Sequence, residues 1–339
     1  MTNKNFPINK NLSKILLKPE EMELPLYLPD WKNRVLEIGF GNGEYMAFQA
    51  KNALDTLFIG VEVSRSCVMR AIKRVLEFNN IKIIMGDARF LMRELFADES
   101  FDRVQMNFPC PWPKERHSKR RVTSSEFAEA LSAVLKINGY FELMTDDEDY
   151  AQSTRDILSG NSSLECMSYE LNPDRPFKTK YDKKWLEMER NVWRVRIKKK
   201  SSFTTERLIK KSAETASGFM DGGNCNQMHI RLENIDFNKI NISRFDSLFD
   251  EGGSLGNDVH WIFKRHFYSS SNSEDVHLIE TVSSDAGFEQ KYYLKVVFRE
   301  ESNENDKNIV LVKIDGNSSV YLTQSVRGAI SDLADRVKS

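Results

Sequence analysis

"LEIGFGNGEY", residues 36–45, decides the fold. A short apolar run rich in β-formers carries Glu37 and ends on Gly39, Gly41 and Gly43, and a helix-compatible stretch begins at Glu44. A strand, a glycine turn and a helix make the opening unit of an α/β nucleotide-type domain. Glycines let the backbone turn tightly and approach a ligand, and the free N–H groups at the helix start point at it. Taken alone, the loop reads equally well as an ordinary strand-to-helix connection.

Outward from this loop the pattern repeats. "RVLEIG" (34–39), "LFIGVEV" (57–63), "IKIIMG" (81–86), "FDRVQMNF" (101–108) and "GYFELMT" (139–145) are predicted strands. Helix-length stretches separate them at 44–54, 65–78, 88–96, 124–135 and 148–158, and two more strands are expected at 164–171 and 191–198. Such alternation predicts an α/β, Rossmann-like domain with helices on both faces of a parallel sheet.

At 339 residues the chain is long for one core, so two domains are expected: 1–200 Rossmann-like, 201–225 a linker carrying a short helix around 205–213, and 226–339 a smaller α+β domain. In that last part, "VHWIFKRHFYS", "VHLIETV", "KYYLKVVFRE" and "NIVLVKIDG" read as antiparallel strands. Tyr292, Leu294, Val296 and Phe298 alternate on one face, and "SVRGAISDLADRVK" is a closing helix. Residues 1–200 hold 33 Lys and Arg against 29 Asp and Glu, so an anionic partner should meet the first domain; the remainder is net acidic. No apolar run reaches membrane-spanning length and the first residues lack an apolar signal core, which predicts a cytoplasmic protein without membrane contact. Cys67, Cys110, Cys166 and Cys225 form no C-x-x-C pair, and His229, His260, His266 and His277 read as scattered, so neither a metal site nor a disulfide framework is expected.

Two acids sharpen the glycine loop. Glu62 ends the second strand, 19 positions after Gly43, where a carboxylate accepts both hydroxyls of a ribose. Asp87 follows the third strand, where a carboxylate accepts an adenine amino group. Glu37 reads either as a cap or as a contact to an ammonium group. Pyrophosphate would be repelled by Glu37 and Glu62, whereas a cofactor combining ribose, adenine and a cationic sulfonium suits the acidic rim. S-adenosylmethionine is therefore favoured over a nicotinamide cofactor, held by Glu37, Gly39, Gly41, Gly43, Glu62, Asp87 and, from the fourth strand's end, Asn107.

That strand end runs into "NFPCPWPKERHSKRR", residues 107–121. Pro109, Pro111 and Pro113 fix φ and remove backbone donors, which gives a stiff corner at the crevice edge. Lys114, Arg116, His117, Lys119, Arg120 and Arg121 follow, a cluster able to grip phosphates without reading sequence. A basic run is usually a solvated face; beside a ligand crevice it favours nucleic acid.

Together, "LEIGFGNGEY", "FIGVEVSRS", "GDA", "NFPCPWPKERHSKRR", "FELMTDDEDYA" and "TKYDKKWLEMERNVWRV" resemble the bacterial tRNA (guanine-N7-)-methyltransferases, the TrmB family, over about residues 30–198. The resemblance implies methylation of guanine N7 in tRNA at position 46 of the variable loop. It also implies cofactor contacts from Glu37, Glu62 and Asp87, and contacts to the target nucleotide from Lys114, Asp146, Thr179, Lys180, Tyr181 and Asp182. Two positions depart from the family pattern. Cys110 stands where the family has an Asp assigned to catalysis and cofactor contact, and Asp182 stands where it has Glu.

The first departure is tolerable chemically. Guanine N7 carries a lone pair and no proton, so attack needs alignment and a field that tolerates a cationic purine, not a general base. Asp146 can supply that field. Cys110 and Asp146 are thus the candidate catalytic residues, with activity expected to be intact or modestly reduced. The rival reading makes Cys110 a covalent nucleophile of another RNA methyltransferase, and a structural cysteine acting as a small apolar residue is favoured over it; a tRNA-binding homologue with impaired catalysis is the third alternative. Trp112, Tyr181 or Trp185 could stack on the base or belong to the core. The second domain either packs on the enzyme or forms a homodimer, or adds tRNA contacts through Lys264, Arg265, Lys291, Lys295 and Arg299. Its net acidic composition favours packing or dimerisation over tRNA contacts and leaves monomer or homodimer open.

Overall fold

The computed structural model describes residues 12–18, 25–110, 124–174, 191–207, 229–233, 245, 248–271, 274–299, 309–316, 318 and 320–338. The chain divides at residue 206 into two compact units.

The first unit contains α1 (Leu12–Ile15), β1 (Leu16–Leu17), β2 (Asn33–Ile38), α2 (Glu44–Asn52), β3 (Thr56–Glu62), α3 (Arg65–Val75) and β4 (Ile81–Met85). It continues with α4 (Ala88–Glu94), β5 (Phe101–Asn107), α5 (Ser125–Val134), β6 (Leu135–Thr145), α6 (Glu148–Ser159), β7 (Leu164–Leu171) and β8 (Trp193–Lys199). The strand order is β1-β4-β3-β2-β5-β6-β8-β7, parallel except that β8 runs against both of its neighbours. This is the α/β, Rossmann-like fold predicted from the alternation. The two-residue β1 and the turn of helix before it were too short to leave a periodic signal.

Local chemistry explains the elements. Val35 to Ile38 and Thr56 to Val61 are buried without interruption, as strands covered on both faces must be. In α3, Val68, Ala71, Ile72 and Val75 recur at helical spacing and are buried. Ser64, Asp87, Ser124 and Asp147 cap the starts of α3, α4, α5 and α6 with their side-chain oxygens. Val35, Phe40, Met46, Phe58, Ile72 and Ile83 join α1, α2 and α3 to one face of the sheet; each fully buried side chain of this size contributes about 1.5–3 kcal/mol. α4, α5 and α6 contact one another in sequence. Because β2 is flanked by β3 on one side and β5 on the other, the winding reverses there, and a crevice opens beyond the strands' carboxyl ends.

The second unit is a six-stranded antiparallel sheet: β9 (His229–Glu233), β10 (Gly252–Leu255), β11 (Val259–Ser271), β12 (Glu274–Asp285), β13 (Phe288–Arg299) and β14 (Ile309–Ile314), ordered β10-β11-β12-β13-β14-β9. A closing helix, α7 (Gln324–Lys338), buries Val326, Ile330 and Leu333 in one core with Trp261, Phe263, Tyr292, Leu294 and Val296. The alternation read from Tyr292 to Phe298 is the core face of β13. Polar groups staple helix to hairpin. Asp285, buried, accepts from the Ser325 amide at 2.9 Å and from the Ser325 hydroxyl. Gln290 exchanges hydrogen bonds with the backbone of Tyr321.

Two sequence readings of this unit change. His266 and His277 are not scattered: His266 Nε2 lies 2.8 Å from His277 Nδ1, with the rings stacked at 5.0 Å. A bulge between Phe263 and His266 shifts the register of β11 and turns His266 onto the face of His277, which strict alternation could not foresee. The cations proposed for tRNA are partly neutralised within the unit. Lys264 pairs with Asp250, and Arg265 and Lys291 both pair with Glu280. No helix among the described residues is long and apolar enough to cross a membrane.

Candidate active site

The glycine loop leaves β2 in a left-handed path. Gly39, Gly41 and Gly43 have φ of +69°, +56° and +71°, a region that costs any other residue. A Cβ on Gly39 or Gly41 would meet no protein atom within 4 Å, so the loop presents bare backbone to the crevice; one on Gly43 would meet Ala71 Cβ at 3.0 Å. Gly43 is also the N-cap of α2, and no side chain caps that helix. The loop is tied from outside: Arg70 Nε donates to Asn42 Oδ1 at 2.7 Å, and Arg74 donates to the Asn42 carbonyl and pairs with Glu44.

The three acids stand in a row along the strand ends but in different environments. Glu62 accepts from the Gly41 amide at 3.0 Å and the Ser64 amide at 2.9 Å. Those bonds engage one lone pair on each oxygen and leave capacity for two hydroxyls. Val63 beside it is 68% exposed, an apolar surface suited to a flat ring. Asp87 caps α4, accepting from the Arg89 amide at 2.9 Å, and its carboxylate is gripped by the Arg89 side chain. Glu37 is not a cap. It is 3% exposed and accepts from Gln105 Nε2 at 3.2 Å and Asn107 Nδ2 at 3.4 Å. Burial pushes its carboxyl up to about 7, against the pull of both amides and of Arg103. Burial likewise pushes neighbouring Tyr45 up to about 12.

The stiff corner begins where β5 ends. The Phe108 amide donates to the Met144 carbonyl at 2.7 Å, and Phe108 has φ +49° directly before Pro109. A bulky residue in that region, ahead of proline, costs of the order of 1–3 kcal/mol, which the surrounding contacts must offset. Cys110 follows and is exposed. Asp146 comes directly after β6, the next strand, whose Met144 is the register partner of Asn107. The corner and Asp146 thus share one end of adjacent strands. Lys114, Arg116, His117, Lys119, Arg120, Arg121, Thr179, Lys180, Tyr181 and Asp182, with Trp112 and Trp185, lie outside the described residues.

Gln105 and Gln49 went unremarked in the sequence reading. Gln105 is 1% exposed; its Nε2 reaches Gln49 Oε1 at 2.6 Å as well as Glu37, and Gln49 Nε2 returns a bond to Gln105 Oε1 at 3.2 Å. The signal was present: Arg103, Gln105 and Asn107 make a period-two polar stripe in a strand that should be apolar on both faces.

A family model described as "Putative methyltransferase" matches residues 32–195. A tRNA (guanine-N(7)-)-methyltransferase of Thermotoga maritima is 31% identical over 332 residues, 95% of this chain and 96% of its own length. The chain belongs to the tRNA (guanine-N7-)-methyltransferase family. A Nitrosococcus oceani protein of the same name is 36% identical over 168 residues, 49% of this chain and 71% of its own. An alignment of 332 residues cannot fit within the first unit, so this family member shares its second unit with the Thermotoga protein. The solved structure of an antibiotic-related methyltransferase covers 53% of this chain and 98% of its own, at 16% identity and a TM-score of 0.41.

Proposed function

We propose that the first unit transfers the methyl group of S-adenosylmethionine to N7 of a guanine in tRNA, at position 46 of the variable loop. The single observation that carries this reading is the row of strand-end groups Glu37, Gly39, Gly41 and Glu62 in a chain of this family. When bound, the cofactor supplies a methyl group on a sulfonium: the N7 lone pair forms the new bond, the carbon–sulfur bond breaks, and the positive charge passes to the purine.

The residues present fit such a molecule. Glu62 has capacity for ribose hydroxyls and is already fixed by two backbone amides. Gly39 and Gly41 offer backbone without obstruction. Glu37 supplies a negative charge to the ammonium end once ionised, and Asn107 and Gln105 hold it in place. Asp87 contributes less directly, because the α4 amide and Arg89 occupy it, and a cofactor amino group must share it. No residue has to remove a proton from N7. Asp146, beside the Phe108–Cys110 corner, favours the purine cation electrostatically, and the rigid corner sets the line of attack. Cys110 therefore need not be a nucleophile. Lys114, Arg116, His117, Lys119, Arg120 and Arg121 would hold tRNA phosphates; Thr179, Lys180, Tyr181 and Asp182 would meet the target nucleotide. Tyr181, like Trp112 and Trp185, could stack on the base. The protein would act in the cytoplasm, where tRNA is processed.

The test is transfer of labelled methyl groups to unmodified tRNA transcripts, with cleavage mapping of N7-methylguanine. One mapped guanine at position 46, lost when it is replaced by adenine, is expected. Methylation elsewhere would overturn the position, and binding of both ligands without transfer would overturn the activity.

A further inference from the structure

Gln105 sits behind the candidate cofactor site and offers a ligand no surface of its own: it is 1% exposed on the central strand β5. Its amide is engaged at both ends. Nε2 faces two acceptors, Glu37 Oε2 at 3.2 Å and Gln49 Oε1 at 2.6 Å, while Oε1 accepts from Gln49 Nε2 at 3.2 Å. An amide can be turned over, exchanging donor and acceptor. Here the orientation is favoured by a nitrogen end that stands between an ionised carboxylate and a carbonyl oxygen. Gln49 lies on α2, the helix fed by the glycine loop. One side chain therefore links the end of β2, through Glu37, to the helix on the far side of the loop.

We infer that Gln105 is a positioning residue for cofactor binding: held by Gln49, it keeps the Glu37 carboxylate in place and favours its charged form while fixing α2 relative to β2 and β5. The inference rests on the proposed function, in which Glu37 faces the cofactor's cationic end.

The other groups acting on Glu37 are few. Asn107 donates to it at 3.4 Å, Arg103 on the same strand draws its proton affinity down, and Tyr45 comes from α2. Glu142 and Tyr140, on β6, act on Tyr45. Among the described residues, Gln105 is thus one of two direct donors to a carboxylate whose desolvation already favours the proton. Removing it should raise the proton affinity of Glu37 further, so that less of it is ionised at neutral pH.

The experiment is calorimetric binding of S-adenosylmethionine to wild-type protein and to Gln105→Leu, from pH 6 to pH 9. The ligand's own titration is common to both proteins and cancels in the ratio of affinities. If one donor is worth about one pK unit, the ratio should be about tenfold at pH 6 and shrink towards one by pH 9. A ratio that does not vary with pH would mean that Gln105 only packs, and would overturn the inference. Should Gln105→Leu fail to fold, Gln105→Met, closer to the native side chain in length, carries the same test: the same ratio and pH trend are expected, and no trend overturns the inference. Wild-type protein that binds no S-adenosylmethionine at any pH would instead sink the proposed function on which this rests.

Discussion

The two units bury polar groups with equal care and to different ends. In the second, Asp285 spends both carboxylate oxygens on Ser325, and Glu280 is clasped by Arg265 and Lys291. These groups fasten hairpin to helix and strand to strand. In the first, Glu62 and Glu37 are held just as firmly, but from one side only. Backbone amides of Gly41 and Ser64 fix Glu62, and the Gln105 and Asn107 amides fix Glu37, at a place where the sheet's winding reverses and glycine backbone lies open. Burial of a charge is therefore a weak sign of function. A carboxylate held in place with unspent capacity, at the carboxyl ends of parallel strands, is a strong one.

The contrast can be broken by substitution. Glu62→Ala should lower S-adenosylmethionine affinity about a hundredfold, since it removes the proposed ribose acceptor and releases two loop amides, each charge-assisted bond being worth about 1.5–3 kcal/mol; equilibrium dialysis measures it. Asp285→Ala should do the reverse, destabilising the second unit by about 3 kcal/mol in denaturant unfolding while leaving cofactor affinity unchanged.

Glu37→Gln should separate stability from binding within one residue. The folded carboxyl at about 7 lies above its ordinary 4.5, so folding takes up a proton between those values. That makes the wild type lose stability as pH rises from 4.5 to 7 and level off above. The variant should lack this slope and be more stable at pH 8 by up to about 3 kcal/mol, yet bind the cofactor more weakly. Thermal melts against pH would show it, and an unchanged slope would mean that another group is responsible. The smallest effect is expected from Cys110→Ser, with methyl transfer within about twofold of wild type; a collapse of several orders of magnitude would reveal a covalent route instead.

How much of this was legible in the sequence follows from chain distance. The alternation of strands and helices, the glycine turn, the acids at strand ends and the core face of β13 are short-range patterns, and each is found in the structure. The Glu37–Gln105–Gln49 chain joins residues 68 and 56 positions apart, so only the unexpected polar stripe in β5 hinted at it. The His266–His277 contact depended on a bulge that alternation cannot anticipate. Glu62 was read for its hydroxyl partners, whereas its bonds to the Gly41 and Ser64 amides require the loop to fold back first.

The most direct test of the contrast between the units is backbone hydrogen exchange with and without S-adenosylmethionine. Slowed exchange is expected at Gly39 to Gly43 and at Glu62 to Ser64, with no change at Asp285 to Gln290 or Tyr321 to Ser325. Protection confined to the second unit, or none at the glycine loop under saturating cofactor, would contradict it.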